Sequence, residues 1–271
     1  MRYEELPAPP TLAAHVHCLW RFEGEEAGVE QAVPPDGRAE LIVHIARPYE
    51  ERGADGAWRA QAPLLFAGQL TRPLLLRSRG EVAVLGVRFR PAGAWAFAGQ
   101  PLAECTDRRI DLAALHGDAD ATGLRAVLAK APAEARLELV IDYVARQIAL
   151  RRGRRDGAVE RCVERLLQSE GRVPLAELGA LAGLSERQLQ RRFAEVVGIS
   201  PRTLGVVIRL RRVFEALREA PLATWSERAQ AAGFFDHPQM ARDFRRLLGK
   251  TPTRWAEAGP GLAASLADAD A

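Results

Sequence analysis

Arg187, Gln190 and Arg191 stand at i, i+3 and i+4, a spacing that gathers three side chains on one face of a helix. The planar fork of Arg matches guanine O6 and N7, and the amide of Gln matches adenine N6 and N7. Each good pair is worth roughly 1–3 kcal/mol of base discrimination. Gln188 lies beside them, and His237, Pro238, Gln239 and Arg242 hold the corresponding place 51 residues downstream. The chemistry these residues could do is recognition. No nucleophile–base pair is evident, so no catalytic residue is expected. Cys18, Cys105 and Cys162 are scattered without metal-type spacing. His15, His17 and His44 have no acidic residue at a supporting distance, so neither a metal nor a cofactor is expected.

The elements that must hold the two recognition sets repeat as well. Phe193, Gly198 and Pro201 recur as Phe244, Gly249 and Pro252, and Ser185, Leu189 and Arg191 recur as Asp236, Met240 and Arg242. Ser and Asp are preferred helix N-caps because their oxygens accept from the orphan amides of the first turn. A short helical run ending in Gly precedes each cap, over 178–183 and 229–233. Leu189 with Phe193, and Met240 with Phe244, are spaced i, i+4 and should face a core, and Pro238 is tolerable in a first turn. Helix, Gly turn and capped helix is the outline of a helix-turn-helix, present twice. A helix over 204–217 should join the two, with Val207, Leu210, Val213 and Phe214 inward and Arg209, Arg211 and Arg212 outward. Asp156 caps a helix running to Leu167, and Pro174 opens the next at its first position.

Residues 158–256 resemble the DNA-binding domain of AraC/XylS-type transcriptional regulators. The resemblance rests on Leu178, Gly183, Ser185, Leu189, Arg191 and Phe193, then Gly198 and Pro201, then Ala229, Gly233, Phe234, Asp236, Met240, Arg242 and Phe244, then Gly249 and Pro252. It implies a seven-helix, bilobed domain. By motif position the base contacts would fall on Arg187, Gln190 and Arg191, and on His237, Pro238, Gln239 and Arg242. The chain departs from the pattern at Arg228 and Gln230, where apolar residues are usual, and at Gly179, where Ala is usual. Two polar side chains at half-buried positions cost stability unless their ends reach water.

Charge divides the chain in the same place. Residues 153–256 hold 19 Lys and Arg against 12 Asp and Glu, within a chain of net charge +3, so the remainder is mildly acidic. A basic half joined to an acidic half suits a nucleic-acid reader fused to something else. The first 110 or so residues show short β-rich runs at 15–22, 39–46 and 81–90, bounded by turns such as Pro34-Pro35-Asp36-Gly37. They resemble a β-rich N-terminal domain of some members of the same family, through that turn, Glu40-Leu41-Ile42, Gly68-Gln69, Arg72-Pro73 and Gly86–Pro91. Asp36, Arg38, Glu40, His44, Gln69, Arg72, Arg88 and Arg90 are candidates for an effector pocket. By strand periodicity Arg88 and Arg90 would share a face and could hold an anion. Leu137, Val140, Ile141, Val144 and Ile148 form one helical stripe, which packs either on its own domain or on a second copy.

The expected fold is therefore α+β and multidomain: a β-rich domain over 1–130, a helix and solvated linker over 131–157, an all-α domain over 158–257 and a disordered tail over 258–271. The expected partner is double-stranded DNA, with a small-molecule effector, RNA polymerase and a second copy also admitted. No N-terminal hydrophobic leader or apolar run of about 18 residues is present, which reads as cytoplasmic. The expected function is sequence-specific transcription regulation by an activator or repressor. The alternatives are a DNA-tethered repair-type enzyme and a non-specific architectural binder.

Overall fold

The computed structural model describes residues 2–26, 28–220 and 222–257. The expected tail over 258–271 lies outside the described residues. The N-terminal part is built on two sheets. The larger has six strands in the order β1 (Arg2–Pro7), β2 (Val16–Glu26), β9 (Gly80–Phe89), β4 (Glu40–His44), β7 (Leu64–Ala67) and β10 (Arg109–Asp111). The smaller has the order β3 (Gln31–Val33), β8 (Leu74–Arg77), β5 (Glu50–Arg52) and β6 (Trp58–Ala60). All pairings are antiparallel.

Strand alternation splits the larger sheet into two faces. Leu19, Leu41, Val43, Leu85, Val87 and Phe89 belong to the main core, which also contains the helices that follow. Trp20, Phe22, Val82 and Val84 form a second apolar cluster on the opposite face, with Ile42 of the same sheet and Leu76 of the smaller sheet against it. Gly86 pairs with Trp20 across the strands, and a β-carbon on Gly86 would overlap the indole ring. Glycine there is what lets the ring lie flat on its neighbour strand.

Four helices follow before the linker: α1 (Ala94–Ala98), α2 (Leu112–His116), α3 (Asp118–Lys130) and α4 (Ala133–Leu150). The five residues of α1 are all buried, and Phe97 packs among Phe66 and Phe89 with ring centres 5.0–5.9 Å apart. Sequence periodicity pointed to α4 but not to α1–α3. Val140, Val144 and Ile148 of its stripe are buried in this chain's own core, joined by Tyr143 and Gln147, while Leu137 and Ile141 are partly covered. The stripe is consumed within the chain, so it offers no face to a second copy.

Among the described residues, seven helices make up the C-terminal part: α5 (Gly157–Gln168), α6 (Leu175–Ala182), α7 (Glu186–Val197), α8 (Pro201–Glu219), α9 (Trp225–Ala231), α10 (His237–Leu248) and α11 (Pro252–Glu257). Asp156 caps α5 by accepting from the amides of Ala158 and Val159. Pro174 is the N-cap of α6 and not its first helical residue. The core around α5–α7 is continuous with that of the sheet, whereas α9–α11 pack on the far part of α8 as a separate cluster with Met240, Phe244 and Trp255. Two lobes joined by α8 are thus built from different cores.

Two expected costs are resolved by geometry. Arg228 is buried, its guanidinium donating to the Ala220 carbonyl at 2.9 Å and lying over the Trp225 ring, and Gln230 is exposed. Arg209 does not point outward as expected: it is half-buried, stacks over Phe234 and donates to the Gly171 carbonyl. At Gly179 a β-carbon would stand 2.9 Å from the Leu184 carbonyl, so glycine lets the turn close tightly.

Candidate nucleic-acid interface and effector cavity

The first recognition helix, α7, is fixed at both ends by its own sequence. Ser185 and Gln188 form a reciprocal capping box, and Gly198 closes the C-terminus with a left-handed φ of 92°. Leu189, Phe193, Val196 and Val197 anchor its inner face. Arg187, Gln190 and Arg191 are exposed together and make no ion pair among the described residues. Arg192, next in sequence, behaves oppositely. It pairs with Asp156 and with Glu195 at 3.0 Å, and its guanidinium lies 5.0 Å from the Trp95 ring centre. Burial works to raise the Asp156 carboxyl, but the Val159 amide, Arg192 and the Ala158 amide outweigh it and hold it below its ordinary value.

The second recognition helix, α10, has Asp236 as its N-cap, accepting from the Gln239 amide at 2.6 Å. Met240, Phe244, Leu247 and Leu248 form the buried face; Pro238 and Arg242 are exposed, and His237 and Gln239 are half-buried. Gln188 and Gln239 share an unexpected duty. The Ser185 amide donates to Gln188 Oε1 at 3.0 Å, and the Phe235 amide donates to Gln239 Oε1 at 2.9 Å. Each glutamine oxygen is therefore spent on its own helix start, a local use that residue type alone does not reveal.

Phe235 itself escaped sequence reasoning. It is 94 % exposed at the mouth of α10, while its neighbour Phe234 is buried. The second turn is longer than the first: Gly183 precedes its cap by two residues and Gly233 by three. The extra residue is the signal that could have placed an apolar side chain outside.

The back of the first reader rests on the N-terminal part. The Thr106 hydroxyl donates to the Gly198 carbonyl at 2.5 Å, and the Leu102 carbonyl sits against the same glycine. The linker is engaged as well. Arg154 covers the Trp95 ring at 3.7 Å, Arg151 bonds the Gln147 carbonyl and side chain at 2.8 Å, and Arg155 pairs with Glu160. Arg152, Arg154, Arg155 and Gly157 of the linker are exposed, while Arg151 and Asp156 are half-buried.

Between the two sheets lies an apolar cavity of about 110 Å3. Of the eight residues expected to form a pocket, Asp36, Arg38, Glu40 and His44 line it. The other four do not. Gln69 is buried and donates to the Gly37 carbonyl at 2.7 Å, Arg72 is exposed, and Arg88 lies behind the lining. Arg90 is beyond the end of β9, exposed, and donates to the Ala13 carbonyl. Arg88 and Arg90 therefore do not form the expected anion-holding pair, because the strand ends between them.

The three-histidine grouping also dissolves. His15 lies near Gly93, His44 lines the cavity, and His17 lies with Glu5 and Cys18, their ligand-type atoms within 4.8 Å of one another. A bulge between Val16 and Cys18 makes that possible. Burial pushes the Cys18 thiol up, and Glu5 accepts its hydrogen bond. Burial likewise pushes the Cys105 and Cys162 thiols up. No helix among the described residues is long and apolar enough to cross a membrane.

Residues 4–111 match a family described as a domain of unknown function (DUF6597), and residues 178–258 match a family described as a helix-turn-helix domain. A probable transcriptional regulator, LumQ of Photobacterium leiognathi, is 32 % identical over 99 residues, which are 36 % of this chain and 38 % of LumQ. The chain thus spans well under half the length of that curated relative. A crystal structure of a probable AraC family transcriptional regulator from Rhodopseudomonas palustris is 27 % identical, covering 38 % of this chain and 97 % of that one, with a TM-score of 0.34. Apo ToxT K231A from Vibrio cholerae is 10 % identical over 88 % of this chain and 96 % of its own, with a TM-score of 0.45.

Proposed function

We propose that this protein, whose residues 178–258 match a helix-turn-helix family, is a sequence-specific transcriptional regulator of the AraC type that answers to a small molecule. One observation carries the reading: Arg187, Gln190 and Arg191 are exposed together on α7 with no protein partner among the described residues, while Arg192 beside them is tied inward. Donors left free on a rigid, capped helix are suited to base edges in a major groove. Arg242 and Pro238 on α10 form the second reading face, and Gln188 and Gln239 act by fixing the helix starts.

The cavity supports the effector half of the proposal. Val33, Pro34, Asp36 and Arg38 line it, and Gly37 within the same loop packs on Leu204 and Val207 of α8. A ligand that moves this loop would press on the helix joining the two readers. The protein on this reading is a cytoplasmic, non-enzymatic binder, consistent with three buried thiols whose pKa values burial raises. RNA polymerase and a second copy remain partners to be sought through surfaces other than the α4 stripe.

Selection of bound duplexes from a random pool at near-physiological salt tests the reading. Two short enriched blocks about one helical turn apart support a bipartite reader. One block restricts base reading to α7. Binding that falls with salt yet enriches no sequence overturns it in favour of an architectural role.

A further inference from the structure

The cavity has two polar ends. At one end the buried Arg88 guanidinium, 1 % exposed, faces three carboxylates: Glu40 at 2.7 Å, Asp36 at 3.8 Å and Glu5 at 3.9 Å. Even with Arg38 of the lining counted among the cations, carboxylates outnumber guanidinium groups. Trp20 Nε1 and Arg88 Nε both donate to Oε1 of Glu40. Burial, reinforced by Asp36, pushes the Glu40 carboxyl up against the pull of Arg88.

At the other end a relay fixes the state of His44. Arg109 holds Glu51 through two hydrogen bonds of 2.8 and 3.0 Å, which spends the second guanidinium of the lining. Glu51 accepts from the Gln61 amide nitrogen at 2.9 Å, so Gln61 Oε1 is turned to His44 as an acceptor. His44 Nε2 must then carry the proton, and Nδ1 is left as a buried acceptor without a partner. Between the ends the walls are Trp20, Phe22, Tyr49, Ile42 and Leu76.

We propose that this cavity binds a lipophilic organic cation: an aromatic or branched apolar body bearing an ammonium or amidinium group that sits against Glu40. The assignment rests on the effector-sensing reading of the N-terminal domain and names its ligand class. The cation supplies the missing positive charge, its N–H groups meet acceptors, and the Trp20 and Tyr49 faces attract it. An anion of the same shape would meet Glu40 and Asp36 at one end and a nitrogen lone pair at the other. The Nη atoms of Arg88 lack a hydrogen-bond partner, but Arg88 stands behind the lining and its charge is already counted against Glu40, Asp36 and Glu5.

Calorimetric titration of the full chain, without DNA, with three probes on one skeleton tests the class: 1-naphthylmethylammonium, 1-naphthalenemethanol and 1-naphthoate. The ammonium is expected to bind at least about tenfold tighter than the alcohol, with the carboxylate weakest. Glu40→Gln should bring the ammonium to the level of the alcohol while leaving the alcohol unchanged. Because Glu40→Gln also touches Arg88, Asp36→Asn gives a second loss of charge that keeps the Arg88–Glu40 bond, and circular dichroism checks that both variants fold. Equal affinities, a preference for naphthoate, no binding by any probe, or an ammonium preference that survives both substitutions overturns the proposal. An ammonium that binds as expected but leaves DNA affinity unchanged upholds the ligand class and counts against the regulatory reading instead.

Discussion

Gly37, in the loop that forms one wall of the cavity, lies directly on Leu204 of the helix joining the two readers: a β-carbon on Gly37 would stand 2.8 Å from Leu204 Cδ1. The glycine also has a left-handed φ of 83°, and its carbonyl is held by Gln69. Gly37→Ala is therefore expected to lower stability by about 1–2 kcal/mol, through backbone strain and crowding together. In a double-mutant cycle with Leu204→Ala, urea melts should show a combined loss smaller than the sum. Strict additivity would mean that the loop and α8 are not coupled.

Arg191 and Arg192 are adjacent and should fail in different ways. Arg191→Ala is expected to leave the urea midpoint nearly unchanged and to relax base preference at one operator position by roughly 1–3 kcal/mol. Arg192→Ala should lower the midpoint, because Asp156 and Trp95 lose their shared cation. An equal, uniform loss of DNA affinity for both would contradict the division of roles.

Phe235, almost wholly exposed at the start of α10, is expected to touch a thymine methyl, an apolar contact available only in the major groove. Replacing each operator thymine by uracil removes that methyl alone. Binding should weaken at one position for the wild type and at none for Phe235→Ala. Identical uracil profiles for the two proteins would remove Phe235 from the interface.

Acid should weaken the fold before carboxylates titrate. Burial holds His44 and His116 at about 4, below the ordinary 6.5, and His116 donates Nε2–H to the Phe97 carbonyl while accepting from Tyr143 at Nδ1. Both pKa values are depressed, so between pH 6.5 and about 4 the unfolded chain binds protons that the native chain refuses. Stability is then complete above pH 6.5 and falls with acid, by at most about 1.4 kcal/mol per pH unit for each histidine. Urea melts at pH 7.0 and 5.0 check this, and His116→Gln should reduce the difference by the share that His116 contributes, leaving that of His44. An unchanged midpoint between the two pH values would refute the linkage.

What the sequence by itself determined is local. The count of seven helices came from the family resemblance, whereas the caps at Ser185 and Asp236, the glycine turns and the i, i+4 anchors of α7 and α10 follow from spacing within one or two turns. The exposed group of Arg187, Gln190 and Arg191 does too, because helical periodicity fixes which side chains stand together. Tertiary structure decided everything that depends on a partner far along the chain. Arg192 turns inward for Trp95 and Asp156, Arg209 lies over Phe234, and the α4 stripe is covered by its own domain. Strand periodicity could place Arg88 and Arg90 on one face but could not say that β9 stops at Phe89, leaving one buried and the other in water. The cavity arises only where two sheets meet and the Arg109–Glu51–Gln61 relay reaches His44. Its chemistry is set by contacts whose separation in sequence carries no period to read.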